Sequence, residues 1–299
     1  MDWIIYAMLG AALSIAVLAL LRQRRSQRED AGRSLEHSLA ACRTLLALIA
    51  HFQQHRGMSS AWLAGDQSFA SKLESKAREI DALIQDLRPI AVGESVKPHP
   101  CLSANDLSLF RHHWVGLREK LGKLTVEQSI AEHSQLIEKL LHWLAALGES
   151  RLEPLLADRD GRAMVRNYAS RLPALTECLG QARAVGLSVA TRRSCTAVAR
   201  VRLMFLIARA ESILQQAGEG SVQDGLAGQA AQAVRHMAAL VRTRMLGAAG
   251  VEIDAQEYFA DATRAVDAVF AWISADGKRL SGGGMAGALP RRIPDYGHA

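Results

Sequence analysis

Two arginines stand where the helical pattern asks for apolar residues. Cys42, Leu45, Ile49, Phe52, Arg56, Ser59 and Leu63 recur at steps of three and four, so they share one helix face. Leu172, Thr176, Leu179, Arg183, Gly186 and Ala190 form a second stripe with the same period. Neither stripe contains an aspartate or glutamate. A guanidinium removed from water without a counter-charge is unfavourable by several kcal/mol, so each arginine needs one. A carboxylate from another helix would serve, with Glu177, Glu211 and Asp267 as candidates, or the side chain could extend to water. The other answer is a small anion held between helices. Arginine suits that chemistry because its planar fork makes paired hydrogen bonds to a flat oxyanion and keeps its charge at any relevant pH. Gly57, Ser59 and Ser60 follow Arg56, and Gly186 and Ser188 follow Arg183. Small residues leave space for a ligand and hydroxyls add donors. The candidate ligand-binding set is therefore Arg56, Arg183, Gly57, Ser59, Ser60 and Gly186.

Other chemistries are poorly represented. His51 and His55 stand at i,i+4 and could share a metal, but no adjacent glutamate completes a metallohydrolase motif and His51 can simply border the core. His112 and His113 are neighbours and point in different directions on a helix. Cys42, Cys101, Cys178 and Cys195 are widely spaced, which fits neither a zinc site nor a disulfide framework. No nucleophile elbow, phosphate-binding loop or dinucleotide fingerprint is present, so no catalytic residue, metal or cofactor is expected. The formal net charge is +6, gathered at Arg22, Arg24, Arg25 and Arg28 and again between Arg192 and Arg209. No nucleic-acid motif or aromatic platform accompanies these charges, and no nucleic-acid partner is expected.

Long helices must position the two arginines. Hydrophobic residues make up 49% of the chain and aromatics only 5%, a composition of Leu, Ala, Val and Ile that suits helix packing. No stretch alternates long enough for a sheet, so the fold class is all-α. The first soluble helix runs from about Arg33 to Ala64, and a second from Phe69 to Val92. Others are expected at Asn105–Leu124, from Thr125 to Leu147, around Pro173–Thr191, at Ser194–Gln216, and from Ser221 to Leu246. Thr125 with Gln128 and Asp254 with Glu257 read as capping boxes. The last helix carries Phe259, Ala262, Val266, Val269 and Ile273 on one seam. Residues 281–299 read as a flexible tail.

Trp3 to Leu21 is an uncharged apolar run long enough, at roughly 28 Å as a helix, to cross a bilayer. Positive charge follows it, which predicts an outward N-terminus and a cytoplasmic soluble part on a single-pass inner-membrane protein.

Three segments in register resemble the nitrate- and nitrite-sensing (NIT) domain family. They are His55-Arg56-Gly57-Met58-Ser59-Ser60-Ala61-Trp62-Leu63-Ala64, then Leu172-Pro173-Ala174-Leu175 with Leu179-Gly180-Gln181-Ala182-Arg183-Ala184, and Glu257-Tyr258-Phe259-Ala260-Asp261-Ala262-Thr263 running on to Val266-Asp267. The resemblance implies a sensor of two stacked four-helix bundles, with Arg56 and Arg183 facing one another across bound nitrate or nitrite. It departs at His55, where the family's first motif usually has an acidic residue, and no output module of the family is expected within the chain. The expected organisation is an anchor and basic juxtamembrane segment at 1–33, a sensor domain at 34–280 and a tail at 281–299. The expected function is anion sensing that signals to a separate, unidentified partner, with a symmetric homodimer through the long helices. The alternative is a membrane-anchored scaffold of the same fold without anion binding.

Overall fold

The computed structural model describes the backbone of residues 2–156, 158–219 and 225–283, with side chains from 17 to 282 apart from residues 28, 157 and 220–224. Ten α-helices follow one another among the described residues: α1 (Asp2–Leu63), α2 (Ala70–Asp86), α3 (Arg88–Ser95), α4 (Ala104–Lys120), α5 (Val126–Leu147), α6 (Arg159–Arg166), α7 (Leu172–Arg192), α8 (Ala197–Gly218), α9 (Gly225–Leu240) and α10 (Ala255–Gly283). No strand occurs among the described residues. The all-α expectation agrees.

Most helix starts are written locally. Ser103 and Asp106 form a reciprocal capping box on α4, and Thr125 and Gln128 form one on α5. Thr196 caps α8 through its hydroxyl, and Asp254 accepts the amides of Gln256 and Glu257 at the start of α10. Two expected boundaries move. The single helix expected at Phe69–Val92 is broken at Leu87, because Pro89 enters the first turn of α3 without an N–H to continue the ladder. The helix expected from Ser194 begins at Ala197, since Arg193 adopts the left-handed conformation (φ 49°) that ends α7. Pro173 does not break its helix. A π-helical turn at Asn167–Arg171 immediately precedes α7 and absorbs the hydrogen bond that the proline cannot make, so helical backbone runs on from α6. Ser221, the expected cap of the ninth helix, and residues 284–299 of the expected tail lie outside the described residues.

Two groups of helices form. In the first, α1 packs on α2 and α5, while α4 packs on α3 and α5. Its centre is aromatic: Phe52 meets Trp114 edge-on at 4.9 Å, and Phe110 lies 5.3 Å from Trp143. In the second, α7 packs on α8 and α10, and α9 packs on α10 and α8. Tyr258, Val269, Trp272, Met237 and Leu203 fill that centre. The groups meet where α1 and α5 touch α7.

Direction follows from pairings. Gln53 of α1 reaches Thr176 and Glu177, Arg43 reaches Ser281 at the end of α10, and Tyr258 at the start of α10 reaches Ala182. The N-terminal part of α1 and the end of α10 therefore share one end of the molecule, and the α7–α8 turn lies at the other.

Residues 17–27 and 29–34 of α1 are exposed, and burial starts at Leu35. Among the described residues no helix is long and apolar enough to cross a membrane. The expected membrane helix over Trp3–Leu21 is thus not supported here, because residues 3–16, which would carry it, lie outside the described side chains.

Candidate functional site

The two arginines are brought near one another at the junction of α1, α5 and α7, but they meet different fates. Arg56 is 1% exposed. Its Nη1 donates to Glu177 Oε1 at 2.5 Å and its Nη2 to Glu177 Oε2 at 3.1 Å, a two-pronged pair across the helix interface. Nη1 also donates to Ser134 Oγ at 2.9 Å. The remaining capacity of the Glu177 carboxylate is filled by Gln53 Nε2 at 3.1 Å and Gln181 Nε2 at 2.9 Å. Gly180 makes the approach feasible, since a Cβ there would lie 2.8 Å from Arg56 Nη2. The counter-charge that the sequence demands of Arg56 is supplied by the protein.

Arg183 has no such partner. It is half-buried one turn beyond Gly180, its Nη1 donates to Thr263 Oγ1 at 3.1 Å, and its guanidinium lies 5.3 Å from the centroid of the Phe259 ring. No carboxylate of the described residues approaches it within ion-pair distance. Burial lowers its pKa first, and the Arg56 charge lowers it further, while Asp267, Tyr258 and Glu177 act the other way. The arrangement is an arginine still open to a negative charge, beside a hydroxyl and an aromatic face.

The small residues divide as well. Ser59 is buried and lies 3.2 Å from His55 Nδ1, and Ser60 donates to the Arg56 carbonyl at 2.9 Å. Gly57 faces open space. Gly186 makes room for another side chain: a Cβ there would sit 2.2 Å from the hydroxyl of Tyr258, which donates to the Ala182 carbonyl at 2.7 Å.

His55 and His133, in contrast, form a buried pair that spacing on α1 alone does not reveal. His133 Nδ1 lies 2.7 Å from the Ser129 carbonyl, which can only accept, so Nδ1 carries the proton and Nε2 accepts. His55 Nδ1 therefore donates to His133 Nε2 across 2.8 Å. Burial holds both rings neutral, with His55 lowered to about 3 and His133 to about 4. His51 bonds instead to Glu79 at 3.0 Å, so the i,i+4 histidines do not converge, and no metal-ligand cluster occurs among the described residues.

Glu177 is one of the three carboxylates that the sequence offers as a counter-charge, with nothing in the pattern ranking it above Glu211 or Asp267. Thr263, Gln53, Gln181 and Ser134 were not singled out. His133 falls on the α5 seam between Ile130 and Ile137, which was a usable hint.

A family model described as nitrate and nitrite sensing matches residues 47–273, most of the chain. The solved structure of the NasR transcription antiterminator is similar in fold, with a TM-score of 0.67 at 17% sequence identity, over 90% of this chain and 74% of that one. No curated protein matches.

Proposed function

The chain belongs to the nitrate- and nitrite-sensing family, and from that membership we propose that it is a membrane-anchored sensor that recognises nitrate or nitrite at Arg183. The observation that carries this reading is the asymmetry of the two arginines: Arg56 is neutralised by Glu177, and Arg183 has no carboxylate within ion-pair distance among the described residues. In the proposed complex the anion accepts from Arg183 and Thr263. Arg56, which depresses Arg183 through its charge, turns towards the anion as Glu177 releases it, with Gly57, Ser59, Ser60 and Gly186 lining the approach. A ligand that binds one helix packing better than another shifts the balance between them by that difference in affinity. The signal then passes to a separate protein. The anchor is assigned to Trp3–Leu21, with the bundles on the cytoplasmic side by the charge bias. A homodimer through α1 is part of the same proposal, and a monomer mass by light scattering would remove it.

The test is thermal unfolding of the full chain in nanodiscs against nitrate and nitrite. Ligand at a hundred times Kd stabilises by about 2.7 kcal/mol, roughly 5 to 10 °C for a domain of this size. Arg183→Ala is expected to abolish the gain, and an unchanged melt of the wild type at millimolar anion would sink the reading. A second reading, a scaffold of this fold without anion binding, is favoured by the bonding of Arg56 to Glu177 and Ser134. Glu177→Gln separates the two. It leaves the Arg56 charge buried and unmatched, at a cost of about 3–5 kcal/mol. A sensor recovers more of that loss on adding nitrate than the wild type gains, and a scaffold recovers none.

A further inference from the structure

The arginine run between Arg192 and Arg209 is not used by the anion site, and α8 gives it a setting. The first turns of α8 expose Val198, Val201, Met204 and Phe205, at 79%, 68%, 57% and 58%. Their spacing puts them on the face opposite Leu203, Leu206, Ile207 and Ala210, which pack into the bundle. The same outward face turns polar further on, at Arg209, Ser212, Gln215 and Gln216. So a short apolar stripe, not a whole helix face, is left uncovered by the described residues. Single exposed apolar residues need no explanation, but four on successive turns of one helix do.

Charge restricts what covers it. Arg202 and Arg209 border the stripe on one side, and Arg209 has no carboxylate within ion-pair distance among the described residues. Among the described residues Arg202 donates to Gln181 Oε1, at 3.4 Å. From Ala197 to Ala210 the helix contains no acidic residue. A second copy seated stripe to stripe would set these arginines against each other. Place in the fold restricts it further. Arg202 sits level with Gln181 of α7, and Glu177 of α7 sits level with Arg56 of α1. Leu21, the end of the apolar run, is then ~50 Å away along the α1 axis. A bilayer holding that run does not reach the stripe.

We propose that Val198, Val201, Met204 and Phe205 form a docking face for an amphipathic helix with acidic flanks, carried by a soluble partner protein. Apolar residues of that helix cover the stripe, and its carboxylates meet Arg202 and Arg209. The face has one direct link to the buried pair. Arg202 bonds to Gln181, and Gln181 bonds to the same carboxylate that holds Arg56. Docking itself does not depend on anion binding.

The experiment titrates labelled designed helical peptides into the full chain in zwitterionic nanodiscs, with empty discs subtracted and no nitrate present. One peptide has an apolar stripe flanked by glutamates, the other the same stripe flanked by lysines. The acid-flanked peptide binds, weakens as salt rises, and loses about tenfold or more in affinity with Val201→Ser or Phe205→Ser. Arg202→Gln with Arg209→Gln weakens it severalfold and flattens the salt dependence. Melting curves of Val201→Ser and Phe205→Ser match the wild type, because those two side chains are exposed. Absence of binding by the acidic peptide, or equal binding by the basic one, overturns the proposal. So does a chain that is dimeric by light scattering and becomes monomeric with Phe205→Ser, which would make the stripe a contact between copies.

Discussion

Two buried arrangements at the residue scale lead to measurable consequences. His55 and His133 are both held neutral by burial, at about 3 and about 4 against an ordinary value near 6.5. Between those values the unfolded chain binds more protons than the folded one, so stability is present above pH ~6.5 and falls as the pH drops. The slope for two such groups is at most about 2.7 kcal/mol per pH unit. Urea titrations between pH 6.5 and 4.5, before most carboxylates protonate, are expected to show this loss, and His133→Asn to reduce its slope by about half. An unchanged slope in that variant would place the acid sensitivity elsewhere. The second arrangement is Gly186 under Tyr258. An alanine methyl 2.2 Å from the buried hydroxyl cannot be accommodated without moving the ring, so Gly186→Ala should destabilise by about 1–3 kcal/mol. The matching Tyr258→Phe change should cost about 1 kcal/mol through the lost bond to Ala182.

At the scale of the element, the loop between α3 and α4 is held by one carboxylate. Glu94, 4% exposed, accepts from Arg151 Nε at 3.0 Å and Nη2 at 2.9 Å, and from the Cys101 amide at 3.1 Å. Burial alone would raise its pKa, but the bonds from Arg151, Lys97 and Cys101 prevail and hold it at about 2. Its contribution is therefore present above the unfolded value near 4.5 and is lost as the pH falls towards about 2. Glu94→Gln is expected to destabilise at pH 7 and to increase amide exchange in residues 96–103 first, because the loop loses its anchor to Arg151. Faster exchange spread evenly over the bundle would contradict a local role. The π-helical turn before Pro173 is another device at this scale. It lets the helix carrying Arg183 pass a proline without a break, so helical backbone continues from α6 into α7.

On the scale of the whole molecule, the packed body begins at Leu35, and the described part of α1 before it is exposed. The described side chains before Leu35, at 17–27 and 29–34, are exposed, so detaching this part of α1 should leave the rest intact. Trypsin is expected to cut first after Arg22, Arg24 or Arg25, and the trimmed body to melt within about 0.5 kcal/mol of the full chain. A large drop in melting temperature would mean that the first turns of α1 are packed in the assembled protein. The anion site and the proposed docking face lie together at the end opposite those turns. α7 joins them, with Arg183 on one side and α8 on the other.

The sequence by itself determined the helical class, most helix starts and the unusual position of both arginines. Those properties rest on short-range physics: period, caps and the cost of placing charge on an apolar face. It also named Glu177 among the possible counter-charges. It did not decide which arginine would be satisfied, because Glu177 is on a helix far along the chain and only helix crossing brings it within 2.5 Å of Arg56. Tertiary packing likewise joined His55 to His133 and turned Gly186 towards Tyr258. The resemblance assigns one anion to Arg56 and Arg183 together. Packing left Arg183 with the open charge, because α10 offers it a hydroxyl and a ring instead of a carboxylate.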